Sequence, residues 1–169
     1  MSVVNSFTVT ELPTMGMAAI MGRKGIAPEV IGHAIGVAPP KGPTRVARDG
    51  LALVGTGPNT WLALTETPEP GWSSKLGHQL AGLASVSDQS GAYVLFRVAG
   101  EDARRILQRG AFIDLHPSVF RPASVATTVI AHIGVIFWQL DDRPTFEVAT
   151  FRSYAFSFRR WLDATTAAL

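Results

Sequence analysis

The feature that most constrains this chain is that its two halves, laid side by side, carry the same succession of patterns. In the first half, Met15 to Ile20 reads as a short strand, and a glycine leads into a segment where Pro28 suits a first helical turn and Val30, Ile31 and Ile35 share one face. The Gly/Pro-rich loop "GVAPPKGP" follows. Next comes "TRVARDGLALVGTGPNTWLALTET", whose alternating apolar residues flank Gly57-Pro58-Asn59 and predict a hairpin. Trp72, Leu76, Leu80 and Leu83 then fall at the spacing of one helical face.

The second half opens on the alternation of Tyr93, Leu95 and Arg97 with Val94, Phe96 and Val98, a strand. A helix is signalled next: Glu101 and Asp102 in its first turn, Ala103, Ile106 and Leu107 as its buried stripe, Arg109 closing it and Gly110 in the left-handed position beyond. After "GAFIDLHPSVF" come two strand-forming segments, "ASVATTVIAHIGVIFWQL" and "PTFEVATF", parted by the turn Asp141-Asp142-Arg143-Pro144. The last helix, Ser153 to about Ala167, sets Tyr154, Phe158, Trp161, Leu162 and Thr165 on one side. A unit of strand, short helix, strand meander and helix that occurs twice predicts an α+β fold. The expectation is one compact domain over residues 1–169, built from pseudo-repeats at about 15–84 and 85–169.

Composition narrows the function classes. With 47% hydrophobic and 17% charged residues the chain is globular. The 15 Lys+Arg against 13 Asp+Glu are scattered, so no basic stripe argues for nucleic acid. The absence of cysteine excludes disulfides, thiolate metal sites and a cysteine nucleophile, and fits a reducing compartment, so a cytoplasmic location is expected. "MSVVNSFTVTELPTMG" has no basic region followed by an apolar block, and Val125 to Trp138 is interrupted by Thr127, Thr128 and His132; neither secretion nor a membrane span is expected.

Three places invite a chemical reading. Gly55-Thr56-Gly57 resembles the start of a dinucleotide fingerprint, but Pro58-Asn59 and a strand follow where a third glycine and a helix are needed, which favours a turn. Asp114 and His116 would point to one face of an extended segment, as an acid-histidine pair needs. A metal would need a third ligand, and His33, His78 and His132 bring none at a recognisable spacing; Asp-x-His-Pro also makes a loop in which Asp caps backbone amides, and this second reading is favoured. Arg152-Ser153-Tyr154 could hold an anion at a helix start, or Ser153 could cap that helix while Tyr154 enters the core; the cap is favoured. The series Phe151, Tyr154, Phe156, Phe158, Trp161 reads as core or subunit interface rather than a platform for bases.

Four segments, "GPNTWLAL", "SDQSGAYVLFRVAGEDARRIL", "IDLHPSVF" and "FEVATFRSYAFSFRRWL", run in order from Gly57 to Leu162 and together resemble the gamma-subunit family of heterotetrameric sarcosine oxidases. The second of them is also similar to the wider tetrahydrofolate-binding family that includes the glycine cleavage T protein, whose folate domain is a duplicated α+β unit. The resemblance implies a noncatalytic subunit that stabilises or completes a complex oxidising sarcosine to glycine, with alpha, beta and delta subunits as partners. It implies FAD, FMN, NAD, tetrahydrofolate and zinc on those other subunits and none in this chain; no catalytic, cofactor-binding or metal residue is carried over to this sequence. Two alternatives remain at this point: a stand-alone tetrahydrofolate-binding, aminomethyltransferase-like protein, or the equivalent subunit of a related N-methyl amino acid dehydrogenase.

Overall fold

The computed structural model describes residues 7–169, so the reading of the N-terminus as free of a leader falls in part on residues 1–6, outside them. In chain order the elements are β1 (Thr8–Leu12), β2 (Gly16–Gly22), α1 (Pro28–Ile35), β3 (Arg45–Arg48), β4 (Leu51–Gly57), β5 (Thr60–Thr65), α2 (Trp72–Gln79), β6 (Ala84–Asp88), β7 (Tyr93–Ala99), α3 (Ala103–Gln108), β8 (Val125–Ile130), β9 (Ile133–Asp141), β10 (Thr145–Phe151) and α4 (Arg152–Ala167). Residues 13–93 form one unit; residues 94–169 with the strand β1 form the other. Each unit has a five-stranded sheet, ordered β6-β2-β5-β4-β3 in the first and β1-β7-β10-β9-β8 in the second. Corresponding elements occupy corresponding places, as a duplicated α+β unit requires. The outermost strands are exchanged: β6 precedes β7 in the chain but pairs with β2, and β1 precedes β2 but pairs with β7.

In the first unit, Ala18 and Ile20 of β2, Leu53 of β4 and Trp61 and Ala63 of β5 share the sheet face that receives Ile31 from α1, Leu76 from α2 and Leu80 from its C-cap. The opposite face is also buried, at Met17, Val54, Leu62 and Leu64, which is why these strands read as near-continuous apolar runs. Each such side chain taken fully out of water contributes about 1.5–3 kcal/mol. Val30 does not share the buried face of α1. It is exposed, because α1 is a single short helix whose inner line passes through Ile31 and Gly32 and leaves position 30 about 100° away. Leu83 lies beyond the end of α2 in the turn before β6.

In the second unit, Val94, Phe96 and Val98 alternate inward from β7 and meet Ile106 and Leu107 of α3 and Phe158 and Leu162 of α4. Phe96 and Phe158 sit 5.5 Å apart, and Phe120 stacks on Phe137 at 5.0 Å. Three expectations need correcting here, and one segment proves to hold an unforeseen turn. Glu101 and Asp102 precede α3 rather than forming its first turn; Asp102 is the N-cap residue and pairs with Arg105 at 2.9 Å. Gly110 is not left-handed: a Cβ there would lie 2.5 Å from Trp161 Cζ2 and 3.0 Å from the Ala131 nitrogen, so the glycine serves close approach. The strand-forming segment 123–140 holds two strands, β8 and β9, joined through Ala131 and His132 at φ 50° and 65° in a two-residue hairpin. Finally, Ser153 does not cap α4. Strand β10 runs straight into the helix, so the cap position falls on Phe151, which makes no side-chain cap bond, and Tyr154 is 51% exposed rather than buried.

Candidate functional site

The Asp114–His116 segment belongs to the connection between α3 and β8, and the helix holds it by two side chains four residues apart, one turn along the same face. Gln108 donates from Nε2 to the Ile113 carbonyl at 2.9 Å and accepts at Oε1 from the Leu115 amide at 2.8 Å. Arg104 donates to the carbonyls of Leu115 and Phe120 and, at 2.8 Å, to Gln139 Oε1, with its guanidinium 5.2 Å from the centre of the Phe146 ring. Gln139 is held in turn by donating to the Asp141 carbonyl at 2.7 Å.

Within this frame Asp114 and His116 do not form an acid-histidine pair. Asp114 Oδ1 accepts the main-chain amide of His116 at 2.7 Å, closing a turn on its own backbone. His116 Nδ1 lies 3.2 Å from the Ser118 amide and 2.7 Å from Ser118 Oγ; since an amide can only donate, Nδ1 accepts. Both polar side chains therefore satisfy loop backbone. Beside them runs a groove of about 570 Å³, lined by Arg104, Arg105 and Gln108 of α3, by Glu101 and Arg109 just outside its two ends, and by residues 114–117. Burial pushes the Arg104 guanidinium below its ordinary pKa.

Gly55-Thr56-Gly57 ends β4 in a bulge before the Pro58-Asn59 turn, with Asn59 at φ 50°. The space above Gly55 holds the Gly42 carbonyl, which would lie 2.1 Å from an added Cβ; Gly55 N donates to the Thr44 carbonyl at 3.0 Å, and Trp61 Nε1 to the Pro40 carbonyl at 2.8 Å. The glycine admits the crossing loop, and a turn and β5, not a helix start, follow Gly57. Among the described residues no three His, Asp or Glu side chains come together as a metal ligand set, and no helix is long and apolar enough to cross a membrane.

Two features escaped the sequence reading. Arg104 and Gln108 were legible only as an i, i+4 pair beside the buried stripe. The other is a polar cluster on the sheet of the second unit: Glu147, almost fully buried, accepts from Arg97 Nη2 at 2.6 Å and Nε at 3.1 Å, and its Oε2 from Trp138 Nε1 at 2.8 Å. A single Arg and a single Glu in otherwise apolar strands were the available signal. The start of α4 displays Phe151, Tyr154 and Phe156, the last 73% exposed with Arg160 5.9 Å from its ring. Phe112, 68% exposed, lies 5.7 Å from the His132 ring. Large aromatics on a surface are the usual material of protein interfaces.

Comparison with known proteins gives these features a setting. A model of the sarcosine oxidase gamma subunit family matches residues 25–168. A sarcosine oxidase subunit gamma from Arthrobacter sp. is 26% identical over 133 residues, 76% of this chain and 64% of the relative, so the match spans less than two thirds of that protein. Among solved structures, a chain of the heterotetrameric sarcosine oxidase of Corynebacterium sp. U-96, in complex with pyrrole 2-carboxylate, superposes with TM-score 0.86 at 23% identity, covering 96% of this chain and 84% of that one. The glycine cleavage system aminomethyltransferase T of Bartonella henselae superposes with TM-score 0.71 at 12% identity, covering 93% and 45%. These last two likenesses establish the fold.

Proposed function

We propose, on the premise that this chain belongs to the sarcosine oxidase gamma subunit family, that it is a noncatalytic subunit of a complex that oxidatively demethylates sarcosine to glycine. Its role is to stabilise or complete the assembly, with alpha, beta and delta subunits as partners and with the flavins, NAD, tetrahydrofolate and zinc held by them. A cytoplasmic setting goes with this reading. The observation that carries it is the display of Phe151, Tyr154 and Phe156 at the start of α4 in a chain of this family, since large exposed aromatics are costly on a free subunit and productive at an interface. The Asp114–His116 loop supports the same reading: each side chain serves local backbone. We further propose that the two repeats act as one compact domain, because each sheet takes its edge strand from the flank of the other repeat.

The test is to produce the other subunits with and without this chain. The reading predicts that omission lowers the yield and thermal stability of the assembled enzyme while the flavin spectrum of whatever assembles stays normal. Full yield, stability and sarcosine turnover without the chain would refute it.

A further inference from the structure

The two repeats differ at one matched spot on their sheets. The hairpins β3–β4 and β8–β9 both turn through two residues, so the second residue after the turn is Ala52 in the first repeat and Gly134 in the second. On the strand beyond, Leu64 pairs with Ala52, while Thr150 pairs with Val135 and so sets Phe151 beside Gly134. Ala52 and Leu64 are buried, whereas Gly134 is exposed and Phe151 is 48% exposed. On the other side of Gly134 stands Val129, its partner across the hairpin, and beyond that Phe112, brought alongside by the bridge between Ala111 and Ile130. Phe112, Val129, Gly134 and Phe151 thus form a row across the sheet face turned away from α3 and α4, with no side chain at the third place. Among the described residues, its chain neighbours apart, none lies within 4 Å of where a Cβ on Gly134 would stand. The gap is open space between Val129 and Phe151, whose strands are two spacings or about 10 Å apart. The next row on that face, Thr127, Ile136 and Ala149, is uncharged like the first.

We propose that an uncharged, apolar side chain of a partner subunit fills this gap, with Val129 and Phe151 as its walls and Phe112 as an outer contact. The inference rests on the subunit reading above and locates one contact of that subunit. Size selects a partner over a second copy. With Phe112 68%, Val129 37% and Phe151 48% exposed, the row offers roughly 300 Å² of apolar surface. A stable pair needs about 800 Å² from each side, so two copies held by this row alone would separate, whereas a subunit anchored elsewhere needs only a few such side chains here. Charge selects the chemistry: these rows give a carboxylate or ammonium nothing to pair with, so the incoming side chain is a branched aliphatic or an aromatic. The floor is also fixed in advance, since Thr150 donates from Oγ1 to the Gly134 carbonyl at 3.0 Å and holds β10 beside β9.

Gly134→Val blocks the gap without disturbing the chain, because Gly134 is not left-handed, the space for the new side chain is open and valine suits a strand. The variant should melt at or above the midpoint of the unaltered chain, yet associate with the other subunits about tenfold more weakly. Phe112→Ser, at an exposed position, should also weaken association and leave melting unchanged. Because the chain has no cysteine, Val129→Cys carries a single photo-crosslinker, which in the assembled complex should label one partner peptide at an apolar residue. If Gly134→Val and Phe112→Ser both assemble as the unaltered chain does, the gap inference is wrong and the subunit reading stands. A crosslink only between two copies of this chain would overturn it in favour of self-association. If even the unaltered chain fails to assemble with the other subunits, both readings fall.

Discussion

Residues 36–44, after α1, and residues 110–124, after α3, connect a helix to a meander in the two repeats, and they are secured in different ways. The first crosses β4 with its backbone pressed onto Gly55 and is pinned by the Trp61 indole at the Pro40 carbonyl. The second hangs on side chains: Arg104 and Gln108 from the helix, with Asp114 and His116 tying the loop to itself. The sheets differ in the same sense. Leu62 follows the core residue Trp61 in β5, and in the corresponding strand β10 Glu147 follows the core residue Phe146. The first repeat is closed by shape and the second by polar networks. A connection closed by backbone contact is set by sterics, whereas one closed by helix side chains depends on the donors of Arg104 and Gln108.

The largest effect should come from breaking the shape-closed side. Gly55→Val drives a branched side chain into the Gly42 backbone, and a loss of about 4 kcal/mol in urea unfolding is expected, with the two-state transition broadened. On the polar side, Glu147→Leu leaves Arg97 and the Trp138 indole without their carboxylate. About 3 kcal/mol should be lost, and the double variant Arg97→Leu/Glu147→Leu should recover part of it; additive losses would show that the pair is not a coupled unit. Arg104→Met keeps the contact with Phe146 but removes the loop's donors, for about 2 kcal/mol, and should raise amide exchange in residues 111–120 while leaving residues 36–44 protected as before. Smallest is His116→Ala, within about 0.5 kcal/mol by melting and with turnover of the assembled complex unchanged, since the ring serves only Ser118. A large fall in turnover with assembly intact would give His116 a chemical role after all.

What could be read in advance follows the same division. The stripe Ala103, Ile106, Leu107 and the hairpin around Pro58-Asn59 are fully determined by local pattern, and both stand in the structure. The β8–β9 turn was illegible because Ala131 does not favour positive φ and a lone His is a weak turn signal; the Ala131 amide donating to the Gly110 carbonyl at 3.0 Å holds it from outside. Ser153 looked like a cap because caps are recognised by residue type, whereas the junction was decided by β10 continuing through Phe151. The duplication was visible as a pattern, but strand exchange is a property of pairing that no periodicity encodes, so β1 and β6 carried no sign of their partners. The candidate site was half legible. The Asp114 turn followed from Asp-x-His-Pro, but the staple from Arg104 depends on a loop folding back over a helix.

The most direct measurement is the mass of the native assembly. Tagged chain purified from its source under mild conditions and weighed by native mass spectrometry should appear in fixed stoichiometry with flavin-bearing polypeptides, in a species that consumes oxygen when given sarcosine. Recovery of the chain only as a free 18.1 kDa monomer, with that activity eluting elsewhere, would contradict the account.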